Sequence, residues 1–186
     1  MTSRRRSRLA LAAGTALGLT MLLAPPAAAE QAREHDLKAA FLYRFMQFIV
    51  WPDDAFAAPH DSFVVGILGP DPFGETLDGI LAGERVGQRP IVLERYGSPG
   101  EIETCHLLFV NDRESHDLAG TLDRLGRHGL VTVGDVDQFA ENGGAIGFVG
   151  DADRISLVIN TERGRAAGVV FSSKLLHLAR TVDGLP

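Results

Sequence analysis

The side chains that could do chemistry in this sequence are few and poorly grouped. Ser172-Ser173-Lys174 is the one serine–lysine cluster worth naming, and it lacks the S-x-x-K spacing of a nucleophilic serine and its lysine. Inside a predicted helix, Ser172 is expected to pack or to bond back to its own backbone. Cys105 and His106 are adjacent, so in a strand they point to opposite faces and cannot easily act as nucleophile and base. No catalytic residue is therefore predicted.

The histidines do not form a metal-binding pattern. They are His35, His60, His106, His116, His128 and His177. Neither H-x-H nor H-E-x-x-H spacing occurs among them, so a metal site could arise only by convergence in the fold. Carboxylate pairs such as Asp53-Asp54 fall in a predicted loop, where we expect them to be solvated. The sequence predicts no metal and no cofactor.

A proline-rich turn at 69–74 lies between an apolar run and a helical pattern, where open α/β sheets bind ligands. It has neither G-x-G-x-x-G nor the terminal Gly-Lys-Ser/Thr of a phosphate loop. Pro70 and Pro72 also remove two N–H donors that an anion cradle needs. A rigid turn is the favoured interpretation, and a small ligand near this turn is the alternative.

The elements that must position these residues follow from apolar runs that alternate with helical patterns. The predicted strands are 62–68, 89–96, 105–110, 130–133, 145–149 and 154–160, and the last two form a hairpin. The predicted helices are 35–50, 73–81, 118–128 (closed by Gly129), 137–142 and 161–182. Because most of these strands are apolar throughout, we predict a single α/β domain with a mainly parallel, mixed sheet of about six strands and helices on both faces, a Rossmann-like arrangement.

The last predicted helix organises the end of the chain. Thr161 is placed as its N-cap, and Glu162 lies in its first turn, where the helix dipole favours a carboxylate. The small or apolar residues Gly168, Phe171, Leu175, Leu178 and Val182 recur at helical spacing. The sequence therefore predicts one continuous helix over 161–182.

The first predicted helix carries dense aromatic residues. Its main stripe is Leu37, Ala40, Phe41, Phe45, Phe48 and Ile49. Leu42 and Met46 fall off that stripe, so a second side of the helix is also apolar. That side either packs in the core or contacts a protein, since aromatic residues are enriched at interfaces. Phe41, Tyr43 and Phe48 are the predicted partner-binding residues.

The N-terminus resembles a secretion signal. Arg4, Arg5, Arg6 and Arg8 precede the apolar segment 9–23, and the small residues 27–29 suit a cleavage site. We predict that residues 1–29 are a signal peptide cut after Ala29, that segment 30–186 is one domain in the periplasm, and that it is not inserted in the membrane. Residues 30–34 are polar and are expected to be frayed.

Composition limits the partners and the redox chemistry of the cleaved chain. Loss of four arginines and no acids changes the formal charge from −6 to −10, which argues against nucleic acid or anionic lipid. Cys105 is the only cysteine, so no internal disulfide can form, and a small buried residue in a strand is the favoured role. Trp51 is expected to pack beneath the loop 53–59 and to fix the end of the first helix.

Several stretches, in this order, resemble the YfiR family of small secreted regulators. They are KAAFL at 38–42 leading to Trp51-Pro52, GILGPDPF at 66–73, CHLLFV at 105–110, TVGD at 132–135 with Phe139, GGAI at 143–146, Ile159-Asn160, and SSKLLHLA at 172–179. The similarity spans nearly all of the chain after residue 29.

The resemblance implies a periplasmic α/β protein, usually dimeric and without enzymatic activity. In the best-known case such a protein binds the periplasmic region of an inner-membrane diguanylate cyclase and represses it, and an outer-membrane lipoprotein relieves the repression. Some relatives resemble companions of other membrane sensors, including histidine kinases. The best-known member uses disulfides; here Cys105 matches one family cysteine but has no partner, which excludes intramolecular redox control.

Three functions follow from these observations. The leading hypothesis is a regulator that represses a membrane diguanylate cyclase and so lowers cyclic di-GMP signalling. The alternative is a periplasmic small-molecule sensor that acts with a histidine kinase or another membrane receptor. A hydrolase whose site is assembled from distant residues, including Ser172 or His106, is a third.

Overall fold

The computed structural model describes residues 26–58, 60–111, 117–151 and 154–182. Its helices are α1 (Pro26–Phe48), α2 (Glu75–Leu81), α3 (Leu118–Leu125), α4 (Thr161–Ala166) and α5 (Ser173–His177). Its strands are β1 (Ile49–Val50), β2 (Phe63–Leu68), β3 (Arg85–Val86), β4 (Arg89–Tyr96), β5 (Leu107–Val110), β6 (Val131–Gly134), β7 (Ile146–Asp151), β8 (Arg154–Asn160), β9 (Val170–Phe171) and β10 (Ala179–Val182). Most of the predicted signal peptide lies outside the described residues.

The main sheet has eight strands in the order β10-β8-β7-β6-β5-β2-β4-β3. Its pairs are parallel except for β3 with β4 and the hairpin of β7 with β8. The predicted Rossmann-like α/β class and the closing hairpin are therefore confirmed. The prediction of about six strands is too low, because the two edge strands β3 and β10 were not recognised.

Two apolar cores cover the two faces of this sheet. Alternate residues of β2, β5, β6, β7 and β8 face one way and pack against α1 and α2. The residues between them face α3 and the loops on the other side. Strands buried on both faces explain the continuous apolar runs in the sequence.

The predicted single helix over 161–182 is wrong. α4 ends at Ala166, and Gly168 follows with a φ of 74°, the left-handed conformation that commonly closes a helix. A Cβ at Gly168 would also lie 2.3 Å from the ring of His128. The chain then forms β9, α5 and β10 instead of continuing as a helix.

Pairing with distant segments supplies the remaining reason for this break. β9 pairs with β1 in a separate two-stranded ribbon, and β10 pairs parallel to β8.

The N-cap of α4 is Asn160 and not the predicted Thr161. The Asn160 side chain accepts a hydrogen bond from the Arg163 N–H. Glu162 lies in the first turn as predicted.

α1 differs from its prediction in where it begins and in which of its sides is buried. It begins at Pro26, so residues 30–34, expected to be frayed, are helical, and the predicted cut after Ala29 falls within this helix. Its buried residues include Leu42 and Met46, which the prediction placed off the main stripe, whereas Leu37 is 41% exposed. Because apolar residues surround much of the helix, periodicity alone does not identify the face that the sheet covers.

Two other local predictions are wrong. Residues 137–143 form turns and not a helix, because Gln138 has a φ of 57°, which lies outside the right-handed helical region. α3 ends at Leu125, and Gly129 closes a later turn against Ala55.

Candidate functional site

α1 presents two flanks beside its buried face, and the three predicted partner-binding residues divide between them. At 100° per residue, Phe41 and Phe48 lie one heptad apart on one flank. Tyr43 is two residues from Phe41, about 200° around the helix, and so lies on the other. All three are partly buried against the main core. They do not form one continuous patch, and their role in binding a partner stays a prediction.

The flank that bears Phe41 rests on an aromatic cluster. The Phe41 ring lies 6.0 Å from the Phe45 ring and 6.0 Å from the Phe148 ring on β7. Leu37, one turn earlier, is 41% exposed. We call Leu37, Phe41 and Phe48 the aromatic flank; it combines buried anchoring with exposed apolar surface.

The chain continues from Phe48 into an exposed apolar pair. Val50 on β1 lies directly opposite Val170 on β9, and each is 63% exposed. Exposed large apolar side chains that cluster mark protein contact surfaces more often than isolated ones do. The end of α1 and the ribbon are therefore candidates for contact with another protein.

The Tyr43 flank is held by polar contacts to the link between α2 and β3. The Tyr43 hydroxyl donates to Glu84 at 2.7 Å, and this hydrogen bond raises the pKa of the tyrosine. Gln47 donates its side-chain amide to the Arg85 carbonyl. On this side α1 is fixed to its neighbours within the fold.

A buried ion pair fixes α1 on the sheet. Lys38 is 2% exposed, and its ammonium lies 2.6 Å from the carboxylate of Asp135, which follows β6. The same ammonium contacts Glu34 and lies 5.9 Å from the Phe148 ring centroid. A lysine within an apolar stripe was the sequence signal, and the sequence interpretation missed it. The pair joins two of the stretches that carry the family resemblance, 38–42 and 132–135.

The turn at 69–74 is closed by its own side chains, which confirms the rigid-turn interpretation. One carboxylate oxygen of Asp71 accepts from the N–H groups of Phe73 and Gly74, and the other accepts from Arg95. Phe73 packs its ring 4.8 Å from that of Phe109 in the core. The Asp71 carboxylate thus takes the place that a bound anion would take at the start of α2.

Cys105 and His106 lie on opposite sides of the sheet, as predicted. Cys105 is buried with the second core, and burial raises the pKa of its thiol to about 12. The His106 ring accepts from the Val64 N–H at Nδ1, so its Nε2 carries the proton and donates to the Ala55 carbonyl. Burial lowers the pKa of His106. Neither side chain is placed to act on the other.

Ser172 is the N-cap of α5, and its hydroxyl accepts from the Leu175 N–H. The predicted mid-helix position is therefore wrong, but the hydroxyl serves the backbone. Among the described residues, no group of three or more His, Cys, Asp or Glu side chains could hold a metal ion. The same part of the chain contains no helix with the length and hydropathy of a membrane span.

Ring stacking, a cation–π contact and hydrogen bonds hold the segment that follows α1. The Phe56 ring stacks on the His106 ring with 4.5 Å between their centroids. The Arg89 guanidinium lies 3.6 Å from the centroid of the Phe56 ring. Trp51 is buried, and its indole N–H donates to the Gly129 and His106 carbonyls. The structure thus shows Trp51 buried, whereas its packing beneath the loop 53–59 stays a prediction.

A family model described as YfiR/HmsC-like matches residues 35–180. The chain belongs to the YfiR/HmsC-like family. The match begins within α1 and ends within β10, so it covers the Lys38–Asp135 pair, the aromatic flank and the main sheet as far as the first half of β10. No curated protein matches the chain at a significant level.

The YfiR/HmsC-like family is a regulatory, non-catalytic family of periplasmic proteins. In this structure the reactive side chains singled out in the sequence, Cys105, His106 and Ser172, make contacts that serve the fold. What the family leaves open is the surface that binds and the partner that it binds.

Proposed function

We propose that this YfiR/HmsC-like chain is a non-enzymatic periplasmic regulator that binds the periplasmic region of an inner-membrane sensor. The sensor is a diguanylate cyclase, which the chain represses, so that cyclic di-GMP output falls. The observation that supports this proposal is the aromatic flank of α1, which offers part-exposed apolar side chains on a rigidly anchored helix. Aromatic anchors on a preorganised frame are the usual centres of binding energy in protein interfaces.

Repression follows from unequal binding to two states of the sensor. A regulator that binds the inactive state better shifts the population toward it by no more than its differential affinity. An α1 that is fixed by Lys38, Tyr43 and the β1–β9 ribbon presents its flank without first paying an ordering cost. A homodimer would present two such flanks to a dimeric sensor, and an outer-membrane lipoprotein that bound the same surface would relieve repression by competition.

The test is capture of the sensor by segment 30–186 carrying single substitutions on exposed positions of α1 and of the sheet. Leu37→Lys adds a charge to the aromatic flank at a 41% exposed site, and Val92→Lys on β4 is the matched control at 38% exposure. We expect Leu37→Lys to weaken binding at least tenfold and Val92→Lys to leave it unchanged. Equal binding by both variants would remove the aromatic flank from the interface.

Phe41 and Phe48 need a second readout, because each also packs in the core. Phe41→Ser and Phe48→Ser should abolish capture, and the fluorescence of Trp51 reports whether each variant is folded. Tyr43→Phe removes only the hydroxyl bonded to Glu84, so it should retain binding. If Tyr43→Phe lost capture while remaining folded, the opposite flank would be the contact surface.

The second candidate function is a periplasmic small-molecule sensor that acts with a histidine kinase or another membrane receptor. The turn at 69–74 gives it little support, because Asp71 and Phe73 fill that position. A different observation favours it: a small, partly open cavity lies between α3 and α4, on the side of the sheet away from α1.

A further inference from the structure

The cavity between α3, α4 and the strand β6 is lined by both apolar and polar residues. Its volume is about 60 Å³. The apolar wall consists of Leu122, Leu125, Leu130, Ala145, Ala166 and Ala167. The polar lining comes from Arg127, Arg163 and Thr132. Two cationic side chains beside leucines and alanines are not needed to complete an apolar core, so the combination points to a ligand with two unlike ends.

The guanidinium of Arg163 is seated by two glycines. A Cβ at Gly126 would lie 3.1 Å from Nη1, and one at Gly143 would lie 2.7 Å from Nη2. The absence of a side chain at these two glycines leaves room for the guanidinium beside both backbone segments. Nη2 also donates to Asp123, whose carboxylate is largely exposed on the solvent side. Arg163 is therefore held in one place while it lines the cavity.

Two further polar residues line the cavity and are fixed by hydrogen bonds of their own. Arg127 donates to the carbonyls of Ile102 and Glu103, which orients its guanidinium. Thr132 is buried, and its hydroxyl oxygen accepts from the Ala145 N–H at 3.1 Å. Because a hydroxyl that accepts a hydrogen bond keeps its own proton, Thr132 has a donor to offer. All three groups can donate to an anion, and none of them is acidic.

The volume limits the ligand to a small molecule. One enclosed water takes roughly 10–15 Å³ of such space, so the cavity holds about four to six heavy atoms. A nucleotide or an aromatic cofactor does not fit. Inorganic phosphate and sulfate fit by size, but they would place oxygens against the leucines without hydrogen-bond partners, which is unfavourable.

We propose that this cavity binds a short-chain monocarboxylate of the size of propionate. The carboxylate lies against the guanidinium of Arg163, with Arg127 and the Thr132 hydroxyl beside it, and the alkyl end lies against Leu122 and the other apolar residues. Guanidinium groups pair with carboxylates through charge-assisted hydrogen bonds. This inference goes beyond the proposed regulator function and does not depend on the identity of the membrane partner.

The test is calorimetric titration of segment 30–186 with sodium propionate, at constant ionic strength, beside acetate, butyrate, phosphate and sulfate. We expect saturable binding of propionate, weaker binding of acetate, and at least tenfold weaker binding of phosphate and sulfate. Absence of saturable propionate binding up to 20 mM, a concentration chosen to reveal weak ligands, would overturn the proposal. Equal binding of phosphate would overturn the assignment of ligand class.

Variants on α4 locate the site. Arg163→Gln should weaken propionate binding at least tenfold, as expected for loss of a charge-assisted hydrogen bond. Arg165→Gln, on the same helix but not in the lining, should leave the affinity unchanged. Equal effects of the two substitutions would show that only overall charge matters.

Two more variants separate binding from folding. Asp123→Asn removes the ion pair of Arg163 without touching the cavity, so it should keep or increase propionate affinity. If Asp123→Asn weakened binding as much as Arg163→Gln, the arginine would act through the fold alone. Ala166→Leu, at an exposed position whose side chain reaches the cavity, should block binding while the thermal midpoint without ligand stays close to that of the unchanged chain. Undiminished binding in Ala166→Leu would place the ligand elsewhere.

Discussion

Replacing Lys38 by methionine is expected to destabilise the domain strongly. The substitution keeps the length and apolar stem of the side chain but removes the ammonium that lies 2.6 Å from the buried carboxylate of Asp135. Breaking a buried ion pair by removing one partner costs about 3–5 kcal/mol, and a domain of this size has a total stability of roughly 5–15 kcal/mol. The variant should therefore fold but lose a large part of its stability.

The pair can be separated from its surroundings by a double substitution. Lys38→Met with Asp135→Leu removes both charges from the core, so most of the lost stability should return. Glu34 lies nearer the solvent, with 22% of its side chain exposed, and can be rehydrated. The free energies of unfolding are measured by urea titration, with the fluorescence of Trp51 as the probe, since it is the single tryptophan of the chain.

An exposed pair provides the control for this experiment. Arg180 on β10 contacts Glu141, and the side chain of Arg180 is 62% exposed. Arg180→Met should cost less than about 1 kcal/mol, because exposed ion pairs contribute little. If Lys38→Met also cost less than about 1 kcal/mol, the inference that a buried pair anchors α1 would be refuted.

Three further results are expected. Gly66→Ala should destabilise the fold by more than about 2 kcal/mol, because its Cβ would lie within 3.0 Å of Tyr96, Leu108 and Cys105. Gly79→Ala is the control: this residue of α2 faces open space, so the substitution should stabilise the fold by up to about 1 kcal/mol. Both changes are measured by urea titration. The Cys105 thiol, whose pKa burial raises to about 12, should react with Ellman's reagent only as fast as the protein unfolds, and prompt reaction of the native chain would contradict its burial.

The third expected result is a pH dependence of the folding stability that arises from His106. Burial lowers its pKa in the folded state, so the unfolded chain binds the proton more readily, and the folded state is favoured most above the unfolded pKa of about 6.5. Stability should fall as the pH drops from 6.5 through the lower, folded pKa. His106→Gln should flatten this part of the stability profile while the exposed His177→Gln should not, and an unchanged slope in His106→Gln would rule out the assignment.

The sheet could be predicted largely because its strands are buried on both faces. Runs such as Phe63–Leu68 and Leu107–Val110 are apolar throughout, and this pattern depends only on local sequence. The end of the chain could not be predicted in the same way. Val170 and Phe171 pair with Ile49 and Val50, about 120 residues earlier, and such long-range pairing overrides helical periodicity. The glycine at 168 was the one local signal that the helix stops.

The candidate sites differ in the same way: one has a local signal in the sequence, and the other depends on long-range packing. A lysine among apolar residues at 38 could have indicated a buried ion pair, although its partner at 135 becomes evident only when β6 ends beneath α1. The cavity depends on backbone approaches by Gly126 and Gly143 to Arg163. Those segments are brought together by the order of strands in the sheet, so no spacing in the sequence could reveal them.

The central claim is that the chain represses a membrane sensor by contact through α1. The most direct measurement is cyclic di-GMP synthesis by membranes that contain the captured cyclase, with segment 30–186 added to the periplasmic side. We predict a saturable fall in synthesis, which Leu37→Lys weakens at least tenfold and Val92→Lys does not change. Synthesis that stays constant at saturating concentrations of the folded, unchanged chain would contradict the account.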